Sequence, residues 1–108
     1  YDNAENFYHE YLLGVLGGIP AYEIDSNKEH GNGRPDLILK PNHPEKPAVI
    51  IELKRVQFFK DMKSACTDAL KQIEEKYYAM DLEKEGYTNI LKYGICFCKK
   101  SCMVILSE

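Results

Sequence analysis

Apolar positions change their spacing several times along the chain, and each change predicts an element. From Asn3 to Leu16 they recur at Ala4, Phe7, Tyr8, Tyr11, Leu12, Val15 and Leu16, the repeat of an amphipathic helix. Asp2 or Asn3 caps its start, and Gly17-Gly18 with Pro20 ends it. Tyr22 to Lys28 alternates weakly and runs into the turn-rich Glu29-His30-Gly31-Asn32-Gly33, as the first arm of a hairpin would. Arg34 to Lys40 and Ala48 to Lys54 read as strands joined by the Pro- and Asn-rich loop Pro41 to Pro47. The second of these, rich in β-branched residues, favours a buried strand over a helix. A long helix is expected from about Asp61 to Glu85, with Met62, Cys66, Ala69, Ile73, Tyr77 and Met80 on its buried face. Gly86 ends that helix, and Tyr93 to Cys98 and Cys102 to Leu106 close the chain as a hairpin. Strand, long helix, strand is a right-handed parallel crossover, which sets the Tyr93 strand beside the Ala48 strand.

The resulting order, αβββαβ plus a last hairpin strand, is an α/β (α+β) fold with a mixed central sheet flanked by helices. At 108 residues the chain reads as one domain, 1–108. It opens on Tyr1 and enters a helical pattern almost at once, as a fragment of a longer protein would. Hydrophobic content of 44% and charged content of 29% are those of a globular protein. No apolar stretch nears the roughly 20 residues of a membrane span, and no signal peptide is visible. Cys96 and Cys98 alternate within an apolar run and Cys66 lies on an apolar helical stripe, the habit of buried free thiols. With Cys102, their spacing lacks paired zinc knuckles, so a reducing, cytoplasmic setting is the expectation. A net charge of −3 works against general affinity for phosphate, yet leaves room for a local basic strip.

Chemistry concentrates at the end of the Ala48 strand. Alternation puts Ile50, Glu52 and Lys54 on one face and Val49, Ile51 and Leu53 on the other. If Lys40 pairs with Ala48 as the strands leave their loop, antiparallel register places Asp36 opposite Glu52. Like charges directly across a strand pair destabilise a sheet, and a divalent cation is the simplest compensation. Carboxylate oxygens suit magnesium or manganese, and Lys54 would stabilise developing negative charge or orient a water. Taken singly, an Asp and a Glu-x-Lys are also what solvated strand ends look like. Two further polar residues stand out. His9 lies off the main stripe of its helix, beside the buried edge. Gln72 borders a buried stripe next to Ala65 and Ala69, where an amide needs a partner. Glu23 and Asp25 share one face of their strand and Ile24 and Ser26 the other, and the sequence does not choose which pair points at the acids.

Pro35-Asp36 and Glu52-Leu53-Lys54 in this element order resemble the PD-(D/E)XK nuclease superfamily, with its restriction-endonuclease-like core, and the likeness runs over nearly the whole chain. Within it the chain is most similar to the group often fused behind an AAA-ATPase-like domain. That likeness rests on Phe7-Tyr8-His9, Glu23, Ser26, Gly33-Arg34-x-Asp36, Ile51-Glu52-x-Lys54, Ala69-x-x-Gln72-Ile73 and Tyr77-Tyr78. The resemblance implies that Asp36 and Glu52 ligate magnesium or manganese, joined by the Leu53 carbonyl. It implies that Lys54 activates the hydrolytic water and that Gln72 supports substrate or the Lys54 end. In the RecB-like branch His9 would join the metal shell and Tyr78 would accompany Gln72. Ser26, Lys28 and Arg34 would face phosphates. Nucleic acid, DNA before RNA, is the implied partner, with a fused or associated ATPase and a homodimer left open and no membrane. A catalytically silent domain of the same fold, binding nucleic acid or a protein partner, is the second reading. A sugar- or nucleotide-binding α/β module is a weaker third.

Overall fold

The alternating runs assemble into one sheet, and the helical periods cover its two faces. The computed structural model describes residues 3–27 and 34–107, with residues 3–6 described through their backbone alone. Helix α1 spans Asn3–Leu16, followed by strands β1 (Tyr22–Ser26), β2 (Leu37–Pro41) and β3 (Ala48–Arg55). A 3-10 turn, Phe59–Asp61, leads into α2 (Met62–Glu75) and α3 (Tyr78–Lys84), and β4 (Ile90–Cys98) and β5 (Ser101–Leu106) complete the order. The sheet runs β1-β2-β3-β4-β5, antiparallel except for the parallel β3–β4 pair made by the helical crossover. Among the described residues no helix is long and apolar enough to cross a membrane.

One face of the sheet presents Leu37, Leu39, Ile51, Leu53, Ile95 and Phe97 to Tyr8, Leu12, Leu13 and Leu16 of α1. The other presents Ala48 and Ile50 to Ile73, Tyr78 and Leu82 of α2 and α3. Beside that cluster, Met62, Ala65 and Cys66 of α2 meet Cys96 and Cys98 of β4. All four cysteines are free, and only Cys102 is exposed.

Two expectations are corrected. Helix α1 carries more apolar residues than one face can bury. It turns Tyr8, His9, Leu12, Leu13 and Leu16 inward and leaves Phe7, Tyr11 and Val15 more than half exposed. His9, expected off the stripe, is fully buried. The single long helix is instead two, broken where Tyr77 takes a left-handed φ of 55°. Past the break the helical phase shifts, so Tyr77 and Met80 are exposed while Tyr78 and Leu82 are buried. A left-handed non-glycine residue costs on the order of 1–3 kcal/mol. Burying two large side chains contributes about 1.5–3 kcal/mol each, so tertiary burial wins. No Gly or Pro marks the break in the sequence, because packing and not local propensity makes it.

Helix α2 crosses β4 at close range over small residues. A Cβ at Gly94 would lie 2.5 Å from the Cys66 carbonyl oxygen and 3.2 Å from the Ala69 Cβ. Gly94→Ala must therefore push the helix off the sheet. Urea denaturation should show a loss of about 1–3 kcal/mol, typical of overpacking, and an unchanged midpoint would refute the close approach.

Candidate active site

Strands β2 and β3 pair as Leu37 with Ile51, Ile38 with Ile50 and Leu39 with Val49. The constant sum of these numbers continues to Asp36 and Glu52, as the hairpin arithmetic requires. Both carboxylates are buried, at 8% and 3% exposure. Each bonds to backbone beside the other. The Asp36 N–H donates to Glu52 Oε1 at 2.9 Å, and the Leu53 N–H donates to Asp36 Oδ2 at 2.8 Å. Burial, and next the charge of Asp36, pushes the Glu52 carboxyl up to about 8, with the Asp36 N–H and Lys54 pulling the other way.

Lys54 is partly buried, and its Nζ donates to Gln72 Oε1 at 2.9 Å. Gln72 reaches it from α2 because Ala65 and Ala69 on the same face leave room. The Gln72 amide also stands near the Tyr78 phenol and favours its ionised form. Burial raises the Tyr78 pKa, with the Glu52 charge next in size, so Tyr78 stands within electrostatic reach of the acids. Asp36, Glu52, Lys54, Gln72 and Tyr78 thus form one connected group.

The remaining candidates sit around that group. His9 Nε2 and Ser26 Oγ are 2.7 Å apart, and Ser26 pairs with Leu37, which packs on the α1 side of the sheet. Among the described residues no three His, Cys, Asp or Glu side chains gather as a metal-binding group. Asp25 pairs with Ile38 and Glu23 with Lys40, which puts this acidic pair on the α2–α3 side. Asp25 forms an ion pair with the exposed Arg34, at the mouth of a cavity of about 190 Å³ that Tyr78 and Pro35 also line. Lys28 lies outside the described residues.

Asn27 was missed by sequence reasoning. It is buried, its backbone N–H donates to the Asp36 carbonyl at 2.9 Å, and its Nδ2 donates to the Arg34 carbonyl at 3.2 Å. It holds the chain on both sides of Pro35 and so steadies Asp36. An Asn just past a strand end, where side-chain amides commonly tie down backbone, was the available signal.

A mixed sheet in αβββαβ order, with an acid pair and a lysine at the ends of adjoining strands, defines a restriction-endonuclease-like α+β domain. The chain belongs to the PD-(D/E)XK nuclease superfamily, whose family model matches residues 3–107. Nucleases of this superfamily typically use divalent metals. No curated protein matches the chain at a significant level. The donor chemistry fits such an ion: two buried carboxylates on neighbouring strands, with Glu52 driven toward protonation by burial and then by the charge of Asp36, is an arrangement that a hard cation relieves.

The raised Glu52 pKa sets a pH dependence for the metal-free protein. Its folded value, about 8, lies above the ordinary 4.5, so its contribution to stability is complete below pH 4.5 and is lost as pH rises through 8. Thermal melts in EDTA should show wild type losing ground to Glu52→Gln across that window. Parallel curves would show that Glu52 is not held protonated.

Proposed function

We propose that this domain is a metal-dependent nuclease that hydrolyses phosphodiester bonds, with DNA as substrate and RNA as the alternative. The observation that carries this reading is the connected group itself. Glu52 accepts from the Asp36 N–H and Asp36 from the Leu53 N–H, and Lys54, on the same strand as Glu52, is held by Gln72 of α2. Asp36, Glu52 and the Leu53 carbonyl would hold magnesium or manganese, which when bound supplies charge for the phosphate oxygens and a more acidic water.

The protein's own groups do the rest. Lys54, an ammonium held at the end of β3, orients the attacking water or stabilises the oxyanion that develops at phosphorus. Gln72 is a positioning residue whose Oε1 accepts a hydrogen bond from the Lys54 ammonium and fixes where it points. Tyr78 stands beside them, within electrostatic reach of both acids. His9 and Ser26 brace the α1 side, and Arg34 with Lys28 supplies positive charge toward the substrate backbone. An attached or associated ATPase is a compatible partner.

Cleavage of single-stranded, duplex and branched DNA in magnesium or manganese tests this directly. Asp36→Asn and Lys54→Ala should each cut activity by at least about 100-fold, the scale of losing one preorganised charge, with a native circular dichroism spectrum. Retained cleavage in either would refute the assigned roles.

One observation favours a catalytically silent binding domain: each acid already has a backbone N–H, so the pair can stand without a cation. Melting with and without saturating manganese separates the readings, because a ligand of the native state must raise the melting temperature. A rise supports the nuclease, and its absence supports the silent domain.

A further inference from the structure

Where β3 and β4 end, the surface carries exposed aromatic rings and lysines together. Phe58 and Phe59, directly after β3, are 59% and 57% exposed, although side chains of this kind are normally buried. Lys60 Nζ lies 5.7 Å from the Phe58 ring centroid, and Lys99 Nζ lies 5.5 Å from that of Phe59. Lys99 continues the surface onto α1. Its carbonyl accepts the Tyr8 hydroxyl at 2.7 Å, and it lines, with Phe7, Tyr11 and Lys100, a shallow cavity of about 320 Å³. The Tyr8 and Phe97 rings, which also line that cavity, stack with centroids 4.4 Å apart.

Charge here runs against the chain as a whole. Although the protein carries −3, this end gathers Lys54, Arg55, Lys60, Lys63, Lys99 and Lys100 along its two segments, with Asp61 the opposing acid within them. Lys99 also occupies the first position of the two-residue β4–β5 turn with φ 55°, a conformation that favours glycine. A charged side chain is therefore kept where glycine would be less strained.

We propose that Phe58, Phe59, Lys60, Lys99 and Lys100 form a docking strip for single-stranded nucleic acid, leading to the acids at the end of β3. Rings that accept stacked bases, alternating with cations that follow a phosphate backbone, are the two components of sequence-tolerant single-strand binding. Duplex offers no free base faces to the rings. A protein partner would use the same rings but would not need so many cations beside them. The strip begins at Phe58, four residues beyond Lys54, and at Lys99, three residues beyond the Lys54 partner Cys96, on segments that the Val56 N–H still ties together by donating to the Phe97 carbonyl at 2.9 Å. A strand lying on the rings thus reaches the catalytic end of the sheet. The ligand class rests on the nuclease reading, but the strip is testable without cleavage.

Fluorescence anisotropy in EDTA, with a labelled 20-mer of oligothymidylate and a blunt 20-base-pair duplex, reads binding alone. The single strand should bind the protein at least about tenfold more tightly than the duplex. Phe59→Ala and Lys99→Gly should each weaken single-strand binding about tenfold, on the scale of one lost base stack. Wild-type protein that binds the single strand here and cleaves nothing in magnesium or manganese would sink the nuclease reading and leave the strip standing. Lys99→Gly is the sharper variant, because glycine suits the turn and the melting temperature should hold or rise. Unchanged affinity in both variants at native melting temperatures, or duplex bound as tightly as single strand, would overturn the strip. So would variants that alter self-association in light scattering and leave oligonucleotide binding untouched, the behaviour of a protein contact.

Discussion

The cross-strand exchange of hydrogen bonds at Asp36 and Glu52, from the Asp36 N–H to Glu52 and from the Leu53 N–H to Asp36, is the constraint on which the site and much of the sheet depend. Two like charges across a strand pair should push the strands apart. Here each carboxylate instead takes a backbone N–H at the edge of the other's position, and both are sealed from water. The exchange also specifies register. Residues Ile50 to Leu53 are buried on both faces of β3, so the apolar pattern alone would tolerate a slip of one residue. Such a slip would bury Glu52 without its N–H partner. An unsatisfied buried polar group costs about 1–3 kcal/mol, and more when charged, so the acids favour the register that the aliphatic residues leave undecided.

What could be read from the sequence follows from how local each cause is. The Asp36–Glu52 juxtaposition was legible because a hairpin's register is arithmetic once one pair is placed. Helix α1 was legible in its limits and mistaken in its face, since its excess of apolar residues left the choice of buried side to packing against Leu37 and Ile51. That same choice took His9 from the margin to the interior. The break at Tyr77 left no trace because its cause is non-local: Tyr78 and Leu82 find Ala48 and Ile50, which precede them by about 30 residues. Of the site, Gln72 could be singled out by its small neighbours, whereas Asn27 is defined by Asp36 and Arg34, which the sequence separates from it by a turn-rich segment.

Helix α2 links the acid pair to the packing of the sheet. Gly94 pairs with Glu52 in the β3–β4 register, and Gly94 is where the α2 backbone comes closest to the sheet. A helix set further out would carry Gln72 away from Lys54, whose ammonium would then be fixed by nothing the described residues offer in its place. The small residues Ala65, Cys66 and Ala69 therefore do more than fill a layer. They set the height at which α2 runs, and through it the direction in which Lys54 points. The superfamily's short motif is thus held by residues outside the motif.

The same helix resolves the conflict between a negative chain and a negatively charged substrate. Helix α2 starts at the end of the sheet where β3 finishes and runs back over it for 14 residues, about 21 Å at the usual helical rise. Glu74 and Glu75, followed by the acids of α3, gather at its far end, where Lys92 and Lys40 already pair with Glu74 and Glu85. At physiological salt the screening length is about 8 Å, so acids some 20 Å along the helix contribute little at Phe58 and Phe59, and those nearest Gln72 are offset in part by Lys92. A phosphate approaching the end of β3 feels Lys54, Arg55 and the lysines beside Phe58 and Phe59 before it feels the net charge. Separation along one helix lets the sign of the whole chain differ from the sign of the field at its working end.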